Sequence, residues 1–107
     1  MAIKLRTKRP DRILKQIVEA LKQYQAAHPQ AEIEAYRHSS VSVRIRIINP
    51  EFKDQSRAER DEELWQIFDQ LPEEVASEIT VVILLTPEEK EKSIANFDFE
   101  HPIPSEF

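Results

Sequence analysis

The sequence of 107 residues contains neither glycine nor cysteine. Average glycine usage is about 7%, so a chain of this length would ordinarily hold several. Loops that cradle phosphate or present a nucleophile at a sharp turn need glycine, because they require positive φ or a missing Cβ. The missing glycine therefore excludes the P-loop, the dinucleotide-binding fingerprint, the nucleophile elbow and the EF-hand loop. The missing cysteine excludes disulfides, thiolate metal sites and cysteine nucleophiles.

Long apolar runs are absent as well. None approaches the roughly 18 residues needed to cross a bilayer, and no apolar stretch follows the charges of Met1–Arg6, as it would in a signal peptide. We therefore expect a cytoplasmic protein with no membrane partner. The length fits one domain. We predict a basic N-terminal arm over 1–9, a single α+β domain over 10–96 and an acidic, aromatic C-terminal tail over 97–107.

Charge is divided unevenly along the chain. The net charge is −5, yet residues 1–50 carry a net +6 and residues 51–107 a net −11. Such asymmetry is found where one end of a protein faces nucleic acid. It is also found where two solvated surfaces differ in sign, and where copies of a chain associate head to tail.

The first half of the chain predicts a helix followed by a hairpin. Apolar residues recur at helical spacing over 10–27, namely at Ile13, Leu14, Ile17, Val18, Leu21 and Tyr24. Residues 31–37 alternate weakly in polarity and residues 41–48 alternate clearly, as strands do. We interpret the pair as a hairpin with one buried face and one face exposed to water.

The second half predicts a helix, a buried strand and a short helix. Ser56 and Glu59 form a capping box that opens a helix over 56–71. The strand over 79–85 is almost entirely apolar, which is typical of a strand covered on both faces. Thr86 and Glu89 form a second capping box at the start of the last helix. The predicted fold is α+β in the order α-β-β-α-β-α, a three-stranded mixed sheet with its helices packed on one face.

Three features resemble the BolA family, whose small single domains have a KH-like α/β fold. They are the order of elements over residues 10–92, the loop and helix start Phe52–Arg60, and the strand that runs into Thr86-Pro87-Glu88-Glu89. The resemblance implies a non-enzymatic interaction or regulatory module.

The departures from the family pattern concern its functional residues. Asp61 follows Arg60 where the family has histidine, and Asp54 is the nearest residue to the loop glycine of the family. The family's histidine near its third strand helps to ligate an iron–sulfur cluster shared with a monothiol glutaredoxin. The matching stretch here, 78–80, contains no histidine. We therefore expect neither a cofactor nor cluster sharing with a glutaredoxin.

Basic residues supply an alternative function, nucleic-acid binding. Arg44 and Arg46 share the outward face of the clearest strand, about 6.5–7 Å apart. They could extend a phosphate-contacting stripe that begins in the N-terminal segment, with Lys4, Arg6, Lys8, Arg9 and Arg12. The competing interpretation is ordinary cross-strand pairing with Glu32 and Glu34. A glycine-dependent GXXG clamp on RNA is excluded.

No residues combine into an enzyme site. His28, His38 and His101 lack metal-binding spacing, and His28 suits a helix C-terminus, where the helix dipole favours positive charge. The acidic cluster at 59–63 is typical of a solvated first helical turn. We therefore predict no catalytic and no metal-binding residues. For a protein partner or a second copy we name Tyr36, Arg57, Arg60, Trp65 and Phe99 as candidate contacts, with core anchoring as the other interpretation of Trp65.

Overall fold

A computed structural model describes residues 3–102 of the chain. Its strands are β1 (Ile3–Leu5), β2 (Glu32–Ser39), β3 (Ser42–Ile48) and β4 (Ile79–Leu85). Its α-helices are α1 (Arg12–Ala27), α2 (Arg57–Phe68), α3 (Glu73–Ala76), α4 (Pro87–Lys90) and α5 (Ile94–Glu100), and a 3₁₀ helix covers Pro50–Asp54. The α+β class predicted from the sequence is confirmed.

The sheet has four strands in the order β1-β2-β3-β4, so the prediction of three strands is wrong. β2 and β3 form the predicted antiparallel hairpin, and β3 pairs in parallel with β4 through the predicted helical crossover. The additional strand is β1, which pairs in parallel with β2. β1 has only three residues and lies among basic side chains, so the sequence shows no periodic pattern that predicts it. Residues 3–5 are thus part of the sheet rather than of an arm.

Helix boundaries follow local capping chemistry. The Asp11 carboxylate accepts a hydrogen bond of 2.8 Å from the backbone N–H of Leu14, so α1 begins at Arg12 and Pro10 lies outside it. Both predicted capping boxes are present, one opening α2 from Ser56 and one opening α4 from Thr86. α2 ends at Phe68, earlier than predicted, and the separate helix α3 follows Pro72.

The main core lies between one face of the sheet and the first three helices. It joins apolar residues of the sheet to those of α1, α2 and α3, including Ile33, Val43, Ile45, Leu14, Ile17, Leu21, Leu64, Phe68 and Val75. Trp65, half-buried, packs against this core and meets Phe68 edge to face, with 5.2 Å between ring centroids.

The opposite face of the sheet is covered too, which corrects two expectations. α5 lies on it and places Phe99, only 1% exposed, against Tyr36 and Ile83. The helices therefore do not all pack on one face, and the outward face of the hairpin is not simply exposed to water. Residues 97–100 belong to this helix rather than to a tail, and residues 103–107 lie outside the described part of the chain.

The backbone matches the absence of glycine. Within residues 3–102 no residue has positive φ and no peptide bond is cis. The C-caps of α1 and α2 are His28 and Asp69, and both have negative φ. Helices commonly end on a left-handed residue that is usually glycine. α1 and α2 end without a left-handed residue, and the turns within residues 3–102 have backbone angles that any residue can adopt.

Candidate functional site

β4 is one of the two edge strands of the sheet, and within residues 3–102 no strand pairs with its outer side. Asn49 directly follows β3, and its N–H donates a hydrogen bond of 2.9 Å to the carbonyl oxygen of Leu85, so that this carbonyl points towards β3. The carbonyl of Leu84 points the other way and accepts a bond of 3.0 Å from Arg60. Because successive residues of a strand alternate in direction, the N–H and C=O of Val82 also point away from β3.

An open groove of about 810 Å³ runs along this edge. Its apolar wall is formed by β4 and by the start of α5, with Val82, Ile83, Leu84, Leu85, Ile94 and Ala95. Arg60 and Glu89 line its floor, and its polar rim comes from the start of α2 and from the segment before α5, with Gln55, Ser56, Arg57, Asp61, Lys92 and Ser93. Ile94 is 88% exposed, although large apolar side chains are ordinarily buried. We call this site the β4-edge groove.

Arg60 forms the floor of the groove and is 8% exposed. Its Nη1 and Nη2 lie 2.7 and 3.2 Å from the two carboxylate oxygens of Glu89, a bidentate pair. It also donates to three carbonyl oxygens, those of Leu84 at 3.0 Å, Phe52 at 2.8 Å and Gln55 at 3.2 Å. A guanidinium has five N–H donors, and these contacts use all of them.

The arginine also sets the charge of its partner. Hydrogen bonds from Arg60, and one from the backbone N–H of Thr86, lower the pKa of Glu89 from 4.5 to about 2. Glu89 is therefore ionised at neutral pH, and the pair ties α2 to α4 beneath the groove. Arg60 was predicted as a partner contact. The structure gives it a positioning task, since it has no donor left for a ligand.

The other predicted partner contacts separate into two groups. Arg57 is exposed on the rim of the groove, four residues before the half-buried Asp61. Tyr36 and Phe99 are buried against each other on the second sheet face, with 4.8 Å between ring centroids. Trp65 packs against the main core instead of lining the groove. Of the five residues predicted, only Arg57 and Arg60 come together at the groove.

The predicted phosphate-contacting arginines are engaged by carboxylates. Arg46, 7% exposed, pairs with Glu34 and with Glu100 of α5, each at 3.1 Å. Arg44 pairs with Asp98 at 3.2 Å. Pairing of Arg46 with Glu34 is the cross-strand contact that the sequence offered as the competing interpretation.

The remaining basic residues of the predicted stripe are dispersed. Arg6 pairs with Glu34, and its guanidinium lies 3.9 Å from the centroid of the Tyr36 ring. Arg12 lies on α1, 3.7 Å from Glu74, and both side chains are largely exposed. Lys8 and Arg9 are exposed in the segment before α1, and Lys4 is exposed in β1. These positions do not form one stripe with Arg44 and Arg46.

One polar cluster, around His28, was not predicted from the sequence. The His28 ring at the end of α1 lies between two carboxylates, with Nδ1 3.2 Å from Glu51 and Nε2 2.7 Å from Glu63. It also stacks on Tyr24 at 4.3 Å between centroids. Burial disfavours the charged ring, but hydrogen bonds to Glu63 and Glu51 outweigh it and raise the pKa of His28 above 6.5. Only the position of His28 at a helix end signalled a role for charge.

The described residues hold no grouping suited to a metal. Within residues 3–102, no set of three or more His, Asp or Glu side chains is placed to hold an ion. The carboxylates of Asp98 and Glu100 face Arg44 and Arg46. Over the same residues no helix is long and apolar enough to cross a membrane.

Comparison of the chain with family models, curated proteins and solved structures gives no match in any of the three.

Proposed function

We propose that this chain is a non-enzymatic protein-interaction module that binds an extended protein segment along the β4-edge groove. The observation that carries the proposal is the outward direction of the Val82 backbone beside an apolar wall. An extended segment can pair with such an edge through its own backbone, while alternate side chains enter the adjoining groove. The BolA-like order of elements supports the same class of function.

The groove supplies both parts of this mode of recognition. The backbone edge provides affinity that does not depend on sequence, and Val82, Leu84 and Ile94 provide apolar contacts for side chains of the segment. Arg57, Asp61 and Lys92 place charges of both signs on the rim beside the segment. The floor is fixed beforehand by Arg60 and Glu89, so little ordering accompanies binding.

Native proteins usually protect an exposed edge with a charge, a proline or a bulge. β4 has no charged residue and no proline between Ile79 and Leu85. Its one irregularity lies at its beginning, where the register shifts opposite Val43 and Arg44. Within residues 3–102, the N–H and C=O of Val82 and the N–H of Leu84 are therefore left to pair, since the outward carbonyl of Leu84 already accepts a bond from Arg60.

Nucleic-acid binding receives less support from the same contacts. Arg6, Arg44 and Arg46 each face a carboxylate, and a phosphate would have to displace it. The aromatic rings that Arg6 and Arg46 contact, those of Tyr36 and Phe99, are buried and cannot stack a base. We therefore base the proposal on the β4 edge.

The proposal is tested by selecting peptides from a random library on the full chain and measuring their Kd by fluorescence polarisation. Val82→Pro removes the outward N–H, and proline is tolerated at a sheet edge. Val82→Thr keeps the N–H and the branched shape and is the matched control. We expect Val82→Pro to weaken binding about tenfold, in line with one lost hydrogen bond and an unpaired partner group, and Val82→Thr to bind like the original chain.

Circular dichroism of both variants checks that the fold is retained. Peptides that bind Val82→Pro as tightly as Val82→Thr would show that the β4 edge is not where they pair, and would contradict the proposal.

A further inference from the structure

The rim of the β4-edge groove carries charges of both signs. Arg57 and Asp61 both line it and are of opposite sign. They are four residues apart on α2, so they lie one helical turn apart on one side of that helix. A twofold axis brings the same patch of both partners together, and residue i of one then meets residue j of the other.

We propose that the segment bound at the β4-edge groove is β4 of a second copy of this chain, paired antiparallel across a twofold axis. The inference rests on the proposed function and names its partner. Antiparallel pairing centred on Val82 sets Val81 opposite Ile83 and Ile79 opposite Leu85. Every such pair is apolar, except that Thr80 meets Leu84. The carbonyl of Leu84 already accepts a bond from Arg60, so this pair is joined by the Leu84 N–H and the Thr80 carbonyl.

The symmetry also explains the rim. With β4 antiparallel to its copy, the two α2 helices lie on the same face of the joined sheet and run in opposite directions. Arg57 of each copy then faces Asp61 of the other, which gives two ion pairs from one pair of residues. Ile94, exposed in the single chain, gains an apolar neighbour from the second β4.

Overall charge does not forbid the dimer. Each copy carries −5, but at physiological ionic strength charges more than about 8 Å apart are largely screened. The contacts at the edge are close, and the residues along β4 itself are uncharged. The sheet of each copy has four strands, and the pairing joins them into one continuous sheet.

The first test is sedimentation velocity of the full chain over a wide concentration range at physiological salt. We expect a concentration-dependent shift from the 12.6 kDa chain to twice that mass. Val82→Pro should remain monomeric where Val82→Thr dimerises. A chain that is monomeric throughout, or a Val82→Pro variant that dimerises like the original, would overturn the second-copy inference.

Charge reversal tests the symmetry itself. Arg57→Asp and Asp61→Arg should each weaken self-association, because each places like charges against one another across the axis. Mixing the two variants should restore association, since one copy then offers two acids and the other two arginines. Mixtures that associate no better than the separate variants would contradict the twofold arrangement.

The two proposals fail separately. If the chain is monomeric but binds selected peptides in a manner that depends on the Val82 amide, the second-copy inference is wrong and the interaction module stands. If neither dimers nor peptides depend on that amide, both are wrong.

Discussion

Arg60 illustrates how a residue can be placed at a site and yet be unavailable to a ligand. Its five donors are divided between Glu89 and three backbone carbonyls, and its guanidinium lies 5.4 Å from the centroid of the Phe52 ring. Lysine could not replace it, because an ammonium lacks the planar fork that meets a carboxylate at two points. Arg57, three residues earlier, is exposed on the groove rim.

His28 provides a test at the scale of a single side chain. Its pKa is raised by Glu63 and Glu51 despite partial burial, so protonation is more favourable in the folded chain than in the unfolded one. The stabilisation is complete below pH 6.5, the unfolded value, and is lost as the pH rises through the folded pKa.

We expect His28→Gln to lower the free energy of unfolding by up to about 1 kcal/mol below pH 6.5, since pairs with exposed carboxylates are screened by solvent. The difference from the original chain should shrink as the pH rises above that value. Urea unfolding at a series of pH values measures it, with His38→Gln as the control. A difference that grows with rising pH would contradict the assignment.

At the scale of elements, α5 is the part of the fold that the sequence did not reveal. Its residues lack helical apolar periodicity, and only Phe99 and Asn96 of the helix are buried. Contacts with the sheet face beneath it hold α5 in place. Phe99 packs on Tyr36, its carbonyl accepts bonds from the Tyr36 hydroxyl at 2.8 Å and from Arg6 at 2.7 Å, and Glu100 pairs with Arg46.

The docking of α5 predicts unequal effects for two phenylalanines of the same helix. Phe99→Ala should lower the free energy of unfolding by about 3 kcal/mol, the range for a buried ring. Phe97→Ala removes a side chain that is 65% exposed and should change stability by less than about 0.5 kcal/mol. Chemical denaturation of both variants decides it, and equal effects would mean that α5 does not pack as described.

The strand β4 shows what local sequence can and cannot specify. Its nearly continuous apolar run correctly predicted cover on both faces, which the main core and α5 provide. The run does not reveal whether the strand is central or at an edge, because strand order depends on which segments pair across the sheet. The groove therefore could not be predicted from the sequence, although two residues of its rim and floor, Arg57 and Arg60, were named.

At the scale of the whole molecule, most of the architecture was predictable because its signals are local. Capping boxes marked α2 and α4, alternation marked the hairpin, and prolines fall at or near several boundaries, as Pro29, Pro50, Pro72 and Pro87 show. β1 and α5 depend on partners distant in sequence, so the sequence alone predicts an arm and a tail in their place. The BolA-like resemblance remains a prediction.

The absence of glycine agrees with the backbone conformation of residues 3–102. With no positive φ to accommodate, the fold needs no residue without a Cβ. A distinctive feature of the described residues is the edge strand β4, which is without charge and lies beside a groove whose rim carries charges of both signs.

Hydrogen exchange at two neighbouring amides shows whether the outward backbone of β4 is a binding surface. In dilute solution the Val82 N–H should exchange quickly, while that of Ile83, which points towards β3, should be protected. At high protein concentration the Val82 amide should become protected as the second copy pairs with it. A Val82 amide that is as strongly protected in dilute as in concentrated solution would contradict the account.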